Sequence, residues 1–139
     1  MPLQCVDVRS HWDTIKPGLL DIVEQCQTDW RIEDVYASLA NKQSFLYVDP
    51  SRTETGFIIV RSIQCPFSLQ SKLLIWIAHD PINGSADAHH DEIEEIAIAT
   101  GHTALEVITP IKGLGRMIEN RGYKRIHATY RKQLNEEPL

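Results

Sequence analysis

The sequence predicts an α/β (α+β) domain, a mixed sheet flanked by helices, in the order β-α-α-β-β-β-α-β-α-β. Three observations predict it. Two stretches with apolar residues at helical spacing come first, three short apolar runs separated by turn signals follow, and the second half alternates helix and strand. Its 139 residues fit one domain, 1–139, and no repeat, low-complexity tract or internal linker divides it. A domain of this size buries about two-thirds of its unfolded surface, so it needs neither disulfide nor metal to hold together.

Each element has a local reason. Leu3–Val8 alternates loosely and reads as a short first strand. From Thr14, Ile15, Leu19, Ile22, Val23 and Cys26 fall on one helical face, which places Pro17 in the first turn, where its missing N–H costs least. A second helix follows Asp29. Glu33 and Asp34 sit where the helix dipole favours negative charge, and Ile32, Val35, Tyr36 and Leu39 form the inward face. Ser44–Val48 stops at Asp49-Pro50-Ser51, and Gly56–Ile63 and Lys72–His79 complete an antiparallel meander. A third helix opens near Asp91 and stops at Gly101, and Ala104–Ile108 reads as a buried strand parallel to Lys72–His79. Thr109-Pro110 begins a fourth helix that ends at Gly122, and Arg125–Tyr130 makes a closing strand.

The bulk chemistry narrows the function. With 14 basic and 19 acidic residues the formal net charge is −5, which makes nucleic acid an unlikely partner. Met1–Ser10 has no basic region leading into an apolar run, and the longest apolar run, Leu73–Ala78, is far short of a membrane span. A cytoplasmic chain with no membrane partner is the expectation. Cys5, Cys26 and Cys65 form no CxxC pair and read as buried free thiols. His89-His90-Asp91-Glu92 lacks metal-ligand spacing and reads as an exposed loop and helix start, so no metal is expected. Lys112, Arg116, Arg121, Lys124, Arg125, Arg131 and Lys132 make the C-terminal quarter basic. That cluster reads as a solvated face before it reads as an anion patch.

The order of elements resembles the GCN5-related N-acetyltransferase (GNAT) superfamily over nearly the whole chain. Met117-Ile118-Glu119-Asn120-Arg121-Gly122-Tyr123 stands where those enzymes commonly have F-Y-x-x-x-G-F, and Ile75-Trp76-Ile77-Ala78 stands on the strand beside the pantetheine arm. Ile75-Trp76-Ile77-Ala78, Thr109-Pro110-Ile111-Lys112-Gly113 and Tyr130-Arg131-Lys132, with Asp29–Tyr36, also resemble small phage and prophage members. The resemblance implies acetyl-CoA, held by Ile77 and Ala78 and by Asn83, Gly84 and Ser85, with an amine as acceptor. His79 or Asp80 is the implied general base, both being at the mouth of the parallel unit.

The sequence departs from the enzymes in two places. Their R/Q-x-x-G-x-G/A loop gathers backbone N–H groups around a pyrophosphate, whereas Asp80–His90 offers one glycine and no Arg or Gln. Asp87, Asp91, Glu92, Glu94 and Glu95 are expected in the first turns of the following helix, where they compete with a phosphate. Many family members also use a tyrosine as the acid toward the leaving thiolate, and Ile118 occupies that position. Two function classes follow. One is an N-acetyltransferase with a degenerate pyrophosphate loop; the other is a noncatalytic phage accessory, virion or assembly protein that uses the fold to bind a protein partner.

Overall fold

The computed structural model describes residues 3–25, 28–50, 56–64, 66–68, 70–79, 85–107, 121–126 and 130–134, the side chains of 85–88 excepted. The chain divides into two units, Met1–Ile108 and Thr109–Leu139. In the first, β1 (Gln4–Val6), α1 (Val8–Gln25), α2 (Ile32–Ala40), β2 (Phe45–Val48), β3 (Phe57–Gln64), β4 (Ser71–His79), α3 (Ser85–Ala99) and β5 (Ala104–Val107) follow in order. The sheet order is β1-β2-β3-β4-β5, with β1 to β4 antiparallel and β5 parallel to β4. This is the expected mixed sheet.

Alternation along the strands gives the sheet two apolar faces. Leu46, Val48, Phe57, Ile59 and Ile77 pack under α1 and α2 through Ile15, Leu19, Val35 and Leu39. Ile58, Val60, Leu73 and Ile75 pack with Leu3 and with Ile93 and Ala97 of α3. A fully buried aliphatic side chain contributes about 1.5–3 kcal/mol, so the central strands β3 and β4 carry much of the stability.

Two boundaries differ from the sequence reading. α1 begins at Val8, not Thr14, so Pro17 lies mid-helix. Asp7 caps the start, its carboxylate accepting the Arg9 N–H at 3.3 Å. Proline at 17 removes the bond to the Asp13 carbonyl, and both residues face solvent, where water can replace it. α3 begins at Ser85, six residues before Asp91, and closes as expected at Gly101. There His102 N–H donates to the Ala97 carbonyl and Gly101 N–H to that of Ile98, with Gly101 at φ +82°. His89, expected in an exposed loop, is therefore helical and buried, because the longer helix turns it inward. Cys5 is a free but exposed thiol, while Cys26 and Cys65 lie outside the described residues.

α2 is capped by a reciprocal pair. Arg31 N–H donates to the Asp34 carboxylate at 2.9 Å, and Asp34 N–H donates to the Arg31 carbonyl at 3.0 Å. The backbone bond, with the Arg31 guanidinium, holds the Asp34 carboxyl below its ordinary value. In the second unit Gly122 has φ +94°, a conformation glycine adopts without strain. Of the expected closing strand, Arg125, Ile126 and Tyr130 lie outside regular structure, Tyr130 is exposed, and residues 127–129 lie outside the described residues. The expected fourth helix lies almost wholly outside the described residues.

One pH effect arises on the α3 face. Cys5 pairs with Tyr47 across β1 and β2, and burial, followed by the Cys5 thiolate, raises the Tyr47 phenol above its ordinary 10.0. The unfolded chain then ionises first as pH rises, so stability present below about pH 10 is lost as pH climbs toward the folded value. Denaturant midpoints should fall as pH rises past about 10, and Tyr47→Phe should flatten that fall.

Candidate functional site

The site assembles on β4, and an extra residue there decides its geometry. Ile59 pairs with Ile77, but the next residue, Val60, pairs with Ile75, so Trp76 is an additional residue opposite that step. On the other side β5 pairs Lys72–Ile75 with Ala104–Val107. Among the described residues Trp76 belongs to neither ladder, and β4 from Trp76 to His79 has no partner on the β5 side.

The bulge also reverses the alternation. Leu73 and Ile75 face α3, but beyond Trp76 it is Ile77 that faces α1 and α2. His79, two residues on, follows Ile77 to that face. Its ring stacks on Phe57 at 5.4 Å and 26°, and its Nε2 lies 3.6 Å from Asp21 Oδ2. Gly18, one helical turn before Asp21, leaves the room: a Cβ there would lie 2.7 Å from Phe57 Cε1 and 2.9 Å from His79 Nδ1. Trp76 turns to the same face, edge-on to Trp30 at 6.3 Å, with the Arg61 guanidinium 5.2 Å from its ring centre.

Of the residues singled out in the sequence, Ile77, Ala78 and His79 are thus consecutive at the end of β4, with Ala78 exposed between its two neighbours. Ser85 is the first residue of α3. Asp80, Asn83 and Gly84 lie outside the described residues. The acidic residues change their meaning. Asp91, Glu92, Glu94 and Glu95 stand in the second and third turns of α3, beyond the reach of the helix end's charge. Glu92 is also engaged, accepting the Leu3 N–H at 2.8 Å. The expected competition with a phosphate is therefore not built into these four residues.

Two further clusters lie away from β4. His90, Asp91 and Glu94 bring one ligand atom each within 4.8 Å of one another, and His90 Nδ1 is 4.0 Å from Glu94 Oε2. Ligands about a zinc ion stand closer, roughly 3.3–3.6 Å apart for bonds of about 2.0–2.2 Å, and the spacing suits a helix-surface charge pair. Ser62 Oγ, His102 and Thr100 form a chain of 2.8 Å hydrogen bonds. Thr100 Oγ1 spends its proton on the Ile96 carbonyl, so His102 Nδ1 donates to Thr100 and Ser62 donates to Nε2. This ties the end of α3 to β3.

Sequence reasoning missed Gly18, Asp21, Phe57 and the bulge. The one available signal was a glycine directly after a proline inside an amphipathic helix, which asks for a close neighbour.

No family model matches the chain, and no curated protein matches it either. Solved structures do. A probable acetyltransferase is similar over 99% of this chain and 100% of its own, with a TM-score of 0.74 and 14% identity. The ribosomal-protein-alanine N-acetyltransferase of Brucella melitensis biovar Abortus 2308 is similar over 96% of this chain and 100% of its own, with a TM-score of 0.72 and 12% identity. An aminoglycoside acetyltransferase from an uncultured soil metagenomic sample, solved with sisomicin, covers 94% of this chain and 95% of its own, with a TM-score of 0.66 and 10% identity. The chain has the GCN5-related N-acetyltransferase fold. Among the described residues no helix is long and apolar enough to cross a membrane.

Proposed function

We propose that the chain is an N-acyltransferase that moves an acetyl group from acetyl-CoA to an amine. The observation that carries this reading is the bulge at Trp76, where pairing with β5 ends among the described residues. A bulged residue leaves backbone groups out of the ladder, and a strand edge with free N–H and C=O groups can bind an extended amide-bearing chain. The pantetheine arm is such a chain, so the backbone of Ile77, Ala78 and His79 fits it, with Asn83, Gly84 and Ser85 toward the phosphates. Ser85 at the start of α3 supports that placement.

Acetyl-CoA supplies an acyl group already activated as a thioester. The protein's own part is then to orient the acceptor and to take a proton. His79, or Asp80 beside it, removes a proton from the acceptor ammonium so that the nitrogen lone pair can attack the carbonyl. The C–S bond breaks, and Ile118 gives the departing thiolate no side-chain proton, so rate comes mainly from positioning and carbonyl polarisation. The neighbours named as an N-acetyltransferase and an aminoglycoside acetyltransferase support an amine acceptor. Their coverage of this chain supports a single domain over 1–139, and the phage-like motifs support a phage or prophage origin.

Calorimetric titration with acetyl-CoA and with CoA at low salt tests the reading. Micromolar binding is the expected result. No binding at millimolar ligand would remove the enzyme and leave the noncatalytic scaffold with a protein partner.

A further inference from the structure

His79 is held from three sides, and only one of the three contacts carries charge. Phe57 stacks on the ring, Gly18 gives it space, and the half-exposed carboxylate of Asp21 lies 3.6 Å from Nε2. Stacking and space fix the plane of an imidazole but are indifferent to which nitrogen holds the proton. A carboxylate beside one nitrogen is not. It favours the proton there and stabilises the imidazolium once a second proton arrives.

From this we infer that Asp21 is a positioning residue for proton transfer, acting on the acceptor amine through His79. The inference rests on the N-acyltransferase reading. The ammonium of the acceptor gives a proton to His79, the imidazolium so formed is held against the Asp21 carboxylate, and the freed nitrogen attacks the acyl carbon. The C–N bond forms as the C–S bond breaks, the second amine proton passes to the departing thiolate, and His79 returns its proton to solvent. No oxidant or further reactant is required. The whole arrangement depends on the Trp76 bulge, because unbroken alternation turns residue 79 to the α3 face.

Asp21 lies on the exposed side of α1, where an acidic residue ordinarily does nothing but meet water. A merely structural tie between α1 and β4 is the competing account, and the two accounts separate by experiment. Thiol release from acetyl-CoA would be followed with an alanine-initiated peptide and with sisomicin as acceptor probes, for the intact chain, Asp21→Asn, Asp21→Glu and His79→Ala. The melting temperature and the Phe57–His79 ring NOE would be recorded for each.

Asp21→Asn keeps the shape and loses the charge. It should lower kcat about 10-fold to 100-fold with the KM for acetyl-CoA unchanged, less than the roughly 10²–10⁴-fold effect expected for His79→Ala. Melting temperature and NOE should stay near the parent values, and Asp21→Glu should recover most of kcat. If His79→Ala is inactive while Asp21→Asn turns over like the parent, the role of Asp21 is overturned and the enzyme reading stands. If Asp21→Asn loses activity only in step with melting temperature and NOE, the tie is structural and the inference is again overturned. If the parent chain turns over neither probe and binds no acetyl-CoA, the enzyme reading and this inference fall together.

Discussion

Trp76→Ala should destabilise the protein by about 2 kcal/mol, and deleting Trp76 should cost no more than that. The substitution removes a half-buried ring that packs against Trp30 and Arg61, so its cost lies below the range for a fully buried tryptophan. The deletion does that and also removes the extra residue. Ile77, 4% exposed beneath α1 and α2, then follows Ile75 directly and keeps both its face and its pairing with Ile59. Denaturant unfolding of the two variants measures the difference directly. A midpoint far lower for the deletion would mean that β4 needs the extra residue for its pairing, so that the bulge does not lie between Ile75 and Ile77. Acetyl transfer should survive the deletion, because with one residue fewer His79 stays on the α1 face without a bulge.

Gly18→Val should cost about 3 kcal/mol, at the upper end of ordinary overpacking. Valine is the better helix former by a few tenths of a kcal/mol, so helix propensity predicts a small gain. The packing predicts the opposite, because the new Cβ would lie 2.7 Å from Phe57 Cε1 and 2.9 Å from His79 Nδ1, two rings stacked on each other. Neither ring is the loose end of a flexible chain. Thermal unfolding gives the sign, and a rise in stability would show that the two rings can separate without cost. With His79 displaced, kcat should fall even at temperatures where the variant is folded.

Much of the fold was legible in the sequence because its signals are local. The short apolar runs at 44–48, 56–63 and 72–79 needed only their own residues and flanking turns to read as strands, and Gly101 to read as a helix stop. What was missed depends on partners far away in sequence. Pro17 argued for a late start to α1, and the counter-signal was a single capping aspartate, Asp7. The acidic run from Asp91 argued for a late start to α3, which made those carboxylates look like a blocked anion site. The candidate site was half legible. Ile77, Ala78 and His79 could be placed at the end of a strand, but the face on which His79 emerges depends on a bulge. Nothing in Ile75-Trp76-Ile77-Ala78 distinguishes a bulged strand from a regular one.

The hydrogen bond from the Leu3 N–H to Glu92 joins the start of the chain to α3 across 89 residues of sequence. Closing so long a loop costs entropy before any contact returns it, and the bond can form only after α3 has docked. Gln4–Val6 can pair with β2 earlier, whereas Leu3 itself locks only once α3 is in place. Until then Leu3, 4% exposed in the finished fold, stands open with the apolar face it later covers. A nascent chain paused before residue 92 holds that face uncovered, and exposed apolar surface of this kind favours aggregation.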